Sequence, residues 1–248
     1  MNCTKLTIIF FLLIRTLVFS QGTGLLFKSL KIDEGLSQSS VICLQQDKTG
    51  YIWFGTADGL NKYDGYNLSI YKNDPNLLNS LTDNTITSLL KTENGTLCAG
   101  VITGELNIFD SEKNYFNHYD LKKYVPQKIL DSPIEIVDYP ITNFSRTVTT
   151  SILTMAEGKN NCIWIGTWGL GIFKAIFDGN NKISKIERIN TSLDSKLRKI
   201  SKILVQDDNI WIATLGNGVF CYNSKSNSIL NLNTKNSGLY SNDILTLY

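Results

Sequence analysis

Residues 36–64 read LSQSSVICLQQDKTGYIWFGTADGLNKYD, and residues 81–110 read LTDNTITSLLKTENGTLCAGVITGELNIFD. The two stretches follow one plan. Leu36 to Gly50 and Leu81 to Gly95 have the same spacing, Gly55 and Gly59 return as Gly100 and Gly104, and Cys98 stands where the first copy has Trp53. Further on, Cys162 to Phe173 (CIWIGTWGLGIF) aligns with Asn209 to Phe220 (NIWIATLGNGVF). In these, Trp164 and Trp211 take the place of Trp53, and Gly166, Gly171 and Gly218 continue the glycine pattern. Gly238 to Tyr248 (GLYSNDILTLY) then restates Gly35 to Leu44 (GLSQSSVICL). The anchors Trp53, Cys98, Trp164 and Trp211 lie 45, 66 and 47 residues apart. A period near 45 with several short strands per unit is that of a propeller blade.

Each unit resolves into four strands. In the first these are Val41–Leu44, Tyr51–Gly55, Leu60–Tyr63 and Leu68–Tyr71, with turns at Asp47–Gly50 and Asp64-Gly65. Turns of Asp, Asn and Gly recur at Glu93-Asn94-Gly95, Asp178-Gly179-Asn180 and Asp207-Asp208-Asn209, as antiparallel hairpins require. After the first 20 residues no stretch sustains a helical apolar period. The expected fold is therefore all-β: a propeller of four-stranded antiparallel blades, incomplete, with four repeats and the first strand of a fifth. The reading sets a leader at 1–20, an outer closing strand at 21–34, and blades at 35–79, 80–120, 147–193 and 194–237. An insertion fills 121–146, and 238–248 starts the fifth blade. The repeated Trp residues, with Ile beside them, fill the space between blades, and the glycines allow tight turns or close approach. Trp53, Gly55, Gly59, Cys98, Gly100, Gly104, Trp164, Gly166, Gly171, Trp211 and Gly218 are thus structural anchors.

The first 20 residues have the order of a signal peptide. Lys5 precedes an apolar run from Leu6 to Phe19, broken by Arg15, and Val18 and Ser20 stand before a cut ahead of Gln21. An uncleaved anchor is the alternative, but the run falls short of the ~20 apolar residues a span needs. Without Lys5 and Arg15 the chain carries 22 basic and 22 acidic residues. No basic face is then available for a phosphate backbone, so nucleic acid is not an expected partner. Cys43, Cys98, Cys162 and Cys221 lack the close pairing of a metal knuckle and read as small buried apolar side chains.

The repeat core resembles the two-component regulator propeller repeat, D-x-x-G-x-[IL]-W-[IF]-G-T-x-x-G-[GL]. Asp47-Lys48-Thr49-Gly50-Tyr51-Ile52-Trp53-Phe54-Gly55-Thr56 fits it closely, and Ile163 to Thr167 fits as well. Ile210 to Thr214 has Ala213 for Gly, and Leu97-Cys98-Ala99-Gly100 departs most. Phe27 to Val41 is similar to the start of the mature sensor in this family. The resemblance implies a hybrid two-component sensor of the kind Bacteroides-like bacteria use to detect glycan breakdown products. It implies two propellers and a small β-sandwich in the periplasm, an inner-membrane anchor, and a cytoplasmic kinase, receiver and DNA-binding regulator. None of those cytoplasmic motifs is in this chain. His118, its one histidine, lacks the Glu and Pro context of a phosphoacceptor and reads as a surface residue on a fourth strand. Phe27–Ile32 matches an outer strand and Asp243–Leu247 an inner one, each without the rest of its blade. The reading is a propeller truncated before the kinase, whose partners include the missing blades and kinase of the same protein.

Catalytic and metal-binding residues are not expected, nor any cofactor. The leading function is sensing of a small-molecule or oligosaccharide ligand. An extracellular propeller enzyme acting on polysaccharide in the manner of a lyase is the alternative, and a structural or dimerising propeller, forming a homodimer, the third. Trp168, in the turn after a second strand where other units have Ala57 or Leu215, is the candidate ligand contact, because a loop Trp can stack on a sugar face. Capping of the blade core is the other reading of Trp168. The insertion, running from Leu121 to Arg146 and holding Pro126, Pro133 and Pro140, is the second candidate.

Overall fold

A computed structural model of the chain describes residues 29–132 and 150–248. Residues 1–30 and 31–248 form separate units, and all sixteen described strands belong to the second. The segment 1–20, expected to be a signal peptide, lies outside the described residues, as do Pro133 and Pro140 of the insertion.

The strands form four antiparallel sheets of four, each in chain order. The first blade is β1 (Val41–Gln46), β2 (Ile52–Thr56), β3 (Gly59–Tyr63) and β4 (Leu68–Tyr71). The second is β5 (Ile86–Lys91), β6 (Leu97–Val101), β7 (Glu105–Asp110) and β8 (Tyr115–Asp120). The third is β9 (Ile152–Gly158), β10 (Cys162–Thr167), β11 (Ile172–Phe177) and β12 (Ile183–Arg188). The fourth is β13 (Ile200–Gln206), β14 (Asn209–Thr214), β15 (Val219–Asn223) and β16 (Ser228–Leu232). The first strands stand in a row, β1 against β5, β5 against β9 and β9 against β13, so the described blades form an open arc.

The repeat anchors occupy one register. Trp53 pairs with Gln45, Cys98 with Leu90, Trp164 with Ala156 and Trp211 with Leu204, each four residues into its first strand. Each of the first three is covered by the next blade. Trp53 packs edge-on against Phe109, with ring centroids 4.9 Å apart, and Trp164 against Tyr222 at 5.8 Å. Cys98 lies in one core cluster with Ile163, Phe173 and Ala175 of the third blade. Trp53 is 1% exposed, whereas Trp211 is only half-buried. The expectation that these indoles fill the space between blades is met by Trp53 and Trp164 and is corrected for Trp211. The reason is position: among the described residues no sheet covers the outer face of the fourth blade.

Glycine two residues after each of the first three anchors lets the blades nest. A Cβ on Gly55 would lie 2.8 Å from Cγ2 of Ile86; on Gly100, 2.6 Å from Cγ2 of Ile152; on Gly166, 2.6 Å from Cγ2 of Ile200. In each case the Ile opens the first strand of the next blade. The junctions are also stitched by hydrogen bonds to its carbonyl: Thr87 and Ser88 both donate to Ile152 O, at 2.7 and 2.8 Å.

Three further expectations are corrected. Within Phe27–Ile32, residues 29–31 form no strand and Ile32 opens a 3-10 turn, Ile32–Glu34; among the described residues no third strand offers it an edge. Residues 243–247 form no strand either, since a first strand needs its own second strand as partner. Their backbone still follows the interblade plan: Ile244 N donates to Thr214 O, and Ser201 Oγ donates to Ile244 O at 2.5 Å. His118 sits on β8 as expected, but it is half-buried and hydrogen-bonded to Ser80 O rather than free at the surface. The cysteines are free thiols, Cys98 and Cys162 buried and Cys43 and Cys221 half-buried.

Candidate functional site

Two ends of the arc carry different chemistry. At one end lie the turns between the first and second strands, where Asp47 explains the first residue of the D-x-x-G-x-x-W signature. Its Oδ1 accepts from the backbone of Thr49 and Tyr51, closing the turn, and its Oδ2 accepts from Trp53 Nε1 at 2.8 Å. Desolvation alone would raise the Asp47 pKa, but hydrogen bonds from Thr49, Trp53 and Tyr51 together hold it below the ordinary carboxylate value. The other units lack this Asp: Thr92 stands there in the second and Gly158 in the third. The turns also touch across blades. Glu93 N donates to Glu157 Oε2 at 2.6 Å, and Lys159 pairs with Asp207 at 3.1 Å.

The other end carries the G-T-x-x-G turns and the linkers that enter each following blade. The Thr hydroxyl closes the turn from within: Thr56 Oγ1 donates to Gly59 O, Thr167 Oγ1 to Gly171 O and Thr214 Oγ1 to Gly218 O, at 2.6 to 3.0 Å. Gly59, Gly104, Gly171 and Gly218 all take a positive φ there, which side-chain-bearing residues rarely adopt. The turns then bond to the next linker. Gly59 N donates to Asn84 O, Gly169 N to Arg198 O, and Gly216 N to Asn242 O. Asn84, Arg198 and Asn242 are equivalent positions of the repeat.

Trp168 is in the turn of the third blade, where its residue bridges Lys199 across the junction with the fourth. The Lys199 ammonium lies 5.9 Å from its ring centroid. Only 7% of Trp168 is exposed, so its indole caps the junction and offers no open face. Arg188 is buried and donates to Leu170 O at 2.9 Å and to Asp194 at 2.7 Å, tying the turn to the linker. Arg198 joins three segments. Its Nε donates to Gly169 O at 3.0 Å, and its Nη2 donates to Ile129 O at 3.1 Å and Ser132 O at 3.3 Å. Those acceptors lie at the end of α1 (Gln127–Leu130), the helical piece of the insertion. Desolvation, then repulsion from Arg188, pulls the Arg198 pKa down.

The structure therefore brings Trp168 and the insertion together through Arg198. The remaining anchors (Trp53, Gly55, Gly59, Cys98, Gly100, Gly104, Trp164, Gly166, Gly171, Trp211, Gly218) hold the blades. Arg198, Lys199 and Lys196 are absent from the sequence-based candidates. Their signal is the run Ser195-Lys196-Leu197-Arg198-Lys199-Ile200-Ser201-Lys202, which a chain-wide charge balance hides. Among the described residues no group of three His, Cys, Asp or Glu side chains could hold a metal ion, and no helix is long and apolar enough to cross a membrane.

Comparison with known proteins adds a family match over a short stretch. The two-component regulator propeller matches residues 35–58, the stretch that holds Asp47, Trp53 and Thr56. A histidine kinase of Formosa agariphila is 45% identical over 74 residues, 30% of this chain and 5% of that protein. The extracellular domain of a putative one-component system of B. thetaiotaomicron has a TM-score of 0.57 at 19% identity, covering 83% of this chain and 28% of that one. PorZ, a surface component of the type-IX secretion system of Porphyromonas gingivalis, has a TM-score of 0.59 at 17% identity, covering 89% and 31%. These two likenesses show the propeller fold. The chain spans less than a third of the length of each of these relatives.

Proposed function

Starting from its two-component regulator propeller repeat, we propose that this chain is the ligand-sensing segment of a hybrid two-component sensor. It lies outside the cytoplasm, is exported by the leader at 1–20, and responds to glycan-derived oligosaccharides without chemistry of its own. The observation that carries the reading is the motif at 35–58 together with the 45% identity to a histidine kinase. Fold by itself would not decide, since propellers serve unrelated functions. Ligand contact belongs at the linker end, where the third blade, the insertion and the fourth blade meet at Arg198. A molecule seated there touches three segments at once and biases how they sit. The test is a thermal-shift screen of the purified chain against neutral and charged oligosaccharides, run beside incubation with labelled ATP. A hit at saturating concentration, about a hundred times Kd, should add roughly 2.7 kcal/mol of stability, and no label should enter the protein. Turnover of polysaccharide, or incorporation of phosphate, would move the chain to the enzyme class.

A further inference from the structure

The linker into the fourth blade is the one strongly charged stretch of a chain otherwise close to balance. Residues 188–202 hold Arg188, Lys196, Arg198, Lys199 and Lys202 against a single carboxylate, Asp194. That carboxylate is taken by Arg188 at 2.7 Å. None of the other four cations forms an ion pair with a described residue. Asp131, on the neighbouring insertion, accepts from Gln127 instead.

Arg198 is the informative one. At the equivalent positions the short side chains of Asn84 and Asn242 serve only to cap their own linkers, accepting from Asn73 N and Thr234 N. A guanidinium is not needed for that job. Here its Nε and Nη2 are fixed by three backbone carbonyls, which orient the fork, and no described carboxylate pairs with its charge. Nη1 makes no hydrogen bond to a described residue. A half-buried cation held without a counter-ion is costly, and an anion beside it removes that cost. Lys199, next in the chain and held over the Trp168 ring, adds a second positive charge at the same turn.

We propose that the junction of the third and fourth blades binds the anionic group of a saccharide, a carboxylate or a sulfate, through Arg198 with Lys199 as the supporting charge. This rests on the sensing reading above and narrows its ligand to acidic glycans. A polyanion such as nucleic acid does not fit, because the remaining described surface carries no matching basic track.

The experiment is a fluorescence and calorimetric titration of the full chain with three probes: a trimer of galacturonate, a neutral galactose trimer and sodium sulfate. The variants are Arg198→Gln, Arg198→Lys and Lys199→Met, with exposed Lys225→Gln as control. The galacturonate trimer should bind at least about tenfold tighter than the neutral one, and Arg198→Gln should lose about tenfold. Affinity should also fall as sodium chloride rises. Arg198→Gln could unseat the insertion, so Lys199→Met, whose backbone bridge to Trp168 is unaffected, carries the decision: it should weaken the charged probe severalfold with the melting temperature unchanged. Equal binding of neutral and charged trimers, or wild-type affinity in Lys199→Met and Arg198→Lys, overturns the anion site and leaves the sensing reading standing. Sulfate binding that the variants abolish, with no saccharide bound, keeps the anion site and removes the saccharide reading. Silence from all three probes removes the anion site and leaves the sensing reading to the wider oligosaccharide screen.

Discussion

Gly100→Ala is the sharpest test of how the blades nest. The backbone at Gly100 is ordinary strand, so alanine adds no φ strain; everything depends on space. The new Cβ would lie 2.6 and 2.7 Å from Cγ2 and Cβ of Ile152, and 2.5 Å from Ser88 Oγ. Carbon atoms prefer about 3.5–4.0 Å, and the Ile152 atoms are near its backbone, so a side-chain rotation cannot clear them. The second and third blades must part. Overpacking of this kind costs about 1–3 kcal/mol. Ser88 would also be pushed off its 2.8 Å bond to Ile152 O, adding about 1 kcal/mol. At about 2–4 °C per kcal/mol for a chain of this size, the melting temperature should drop by about 5–15 °C. The fourth blade supplies the control, for it already has Ala213 at this register, and Ala213→Gly should shift stability by no more than about 1 kcal/mol. Melts followed by circular dichroism decide the matter, with Ile152→Ala completing a double-mutant cycle in which the paired variant loses less than the sum. A Gly100→Ala protein that melts with the wild type, or strict additivity in the cycle, would refute the nesting argument.

Two other outcomes follow from the anchors. Trp53→Ala should cost about 3–5 kcal/mol, and Trp211→Ala clearly less, because Trp211 is only half-buried; urea titrations of both variants measure the difference, and equal losses would mean the outer face is covered in solution. Because the folded Asp47 pKa is depressed, its contribution is present above the ordinary carboxylate pKa and is lost as pH falls through the folded value; Asp47→Asn should therefore flatten the acid limb of a stability-versus-pH curve.

What the sequence disclosed was whatever depends on the repeat itself. The anchors share a register because one hairpin plan recurs, and the glycines mark where two backbones meet. The pairing of Asp47 with Trp53 was written in the motif but becomes visible only as a hydrogen bond. What stayed hidden depends on neighbours. Residues 29–32 have strand-like composition, yet strand formation belongs to the pair, not to the segment. Trp168 reads from sequence either as a ligand contact or as a cap on the blade core, and its bridge to Lys199 in the linker, with 7% exposure, favours the cap. The charge of Lys196, Arg198 and Lys199 was legible as a run, and its lack of ion pairs required the fold.

The fourth blade departs from the other three at positions that act together. Cross-strand partners share a face, and the partners at this register are Cys43 and Gly55, Ser88 and Gly100, Thr154 and Gly166, then Lys202 and Ala213. Three junction faces pair a small residue with glycine, which is what an incoming Ile needs. The fourth pairs a long cation with alanine, on the face that also leaves Trp211 part exposed. A methyl group stands there in place of the glycine hydrogen on which Ile152 packs. Ser201 still donates to Ile244 O, as Thr87 does to Ile152 O. The fourth blade thus has a tight, Gly166-lined seam on one side and a looser, cationic face on the other. The proposed anion site sits on the tight side, where a ligand held by Arg198 pulls on the insertion and on the turn of the third blade.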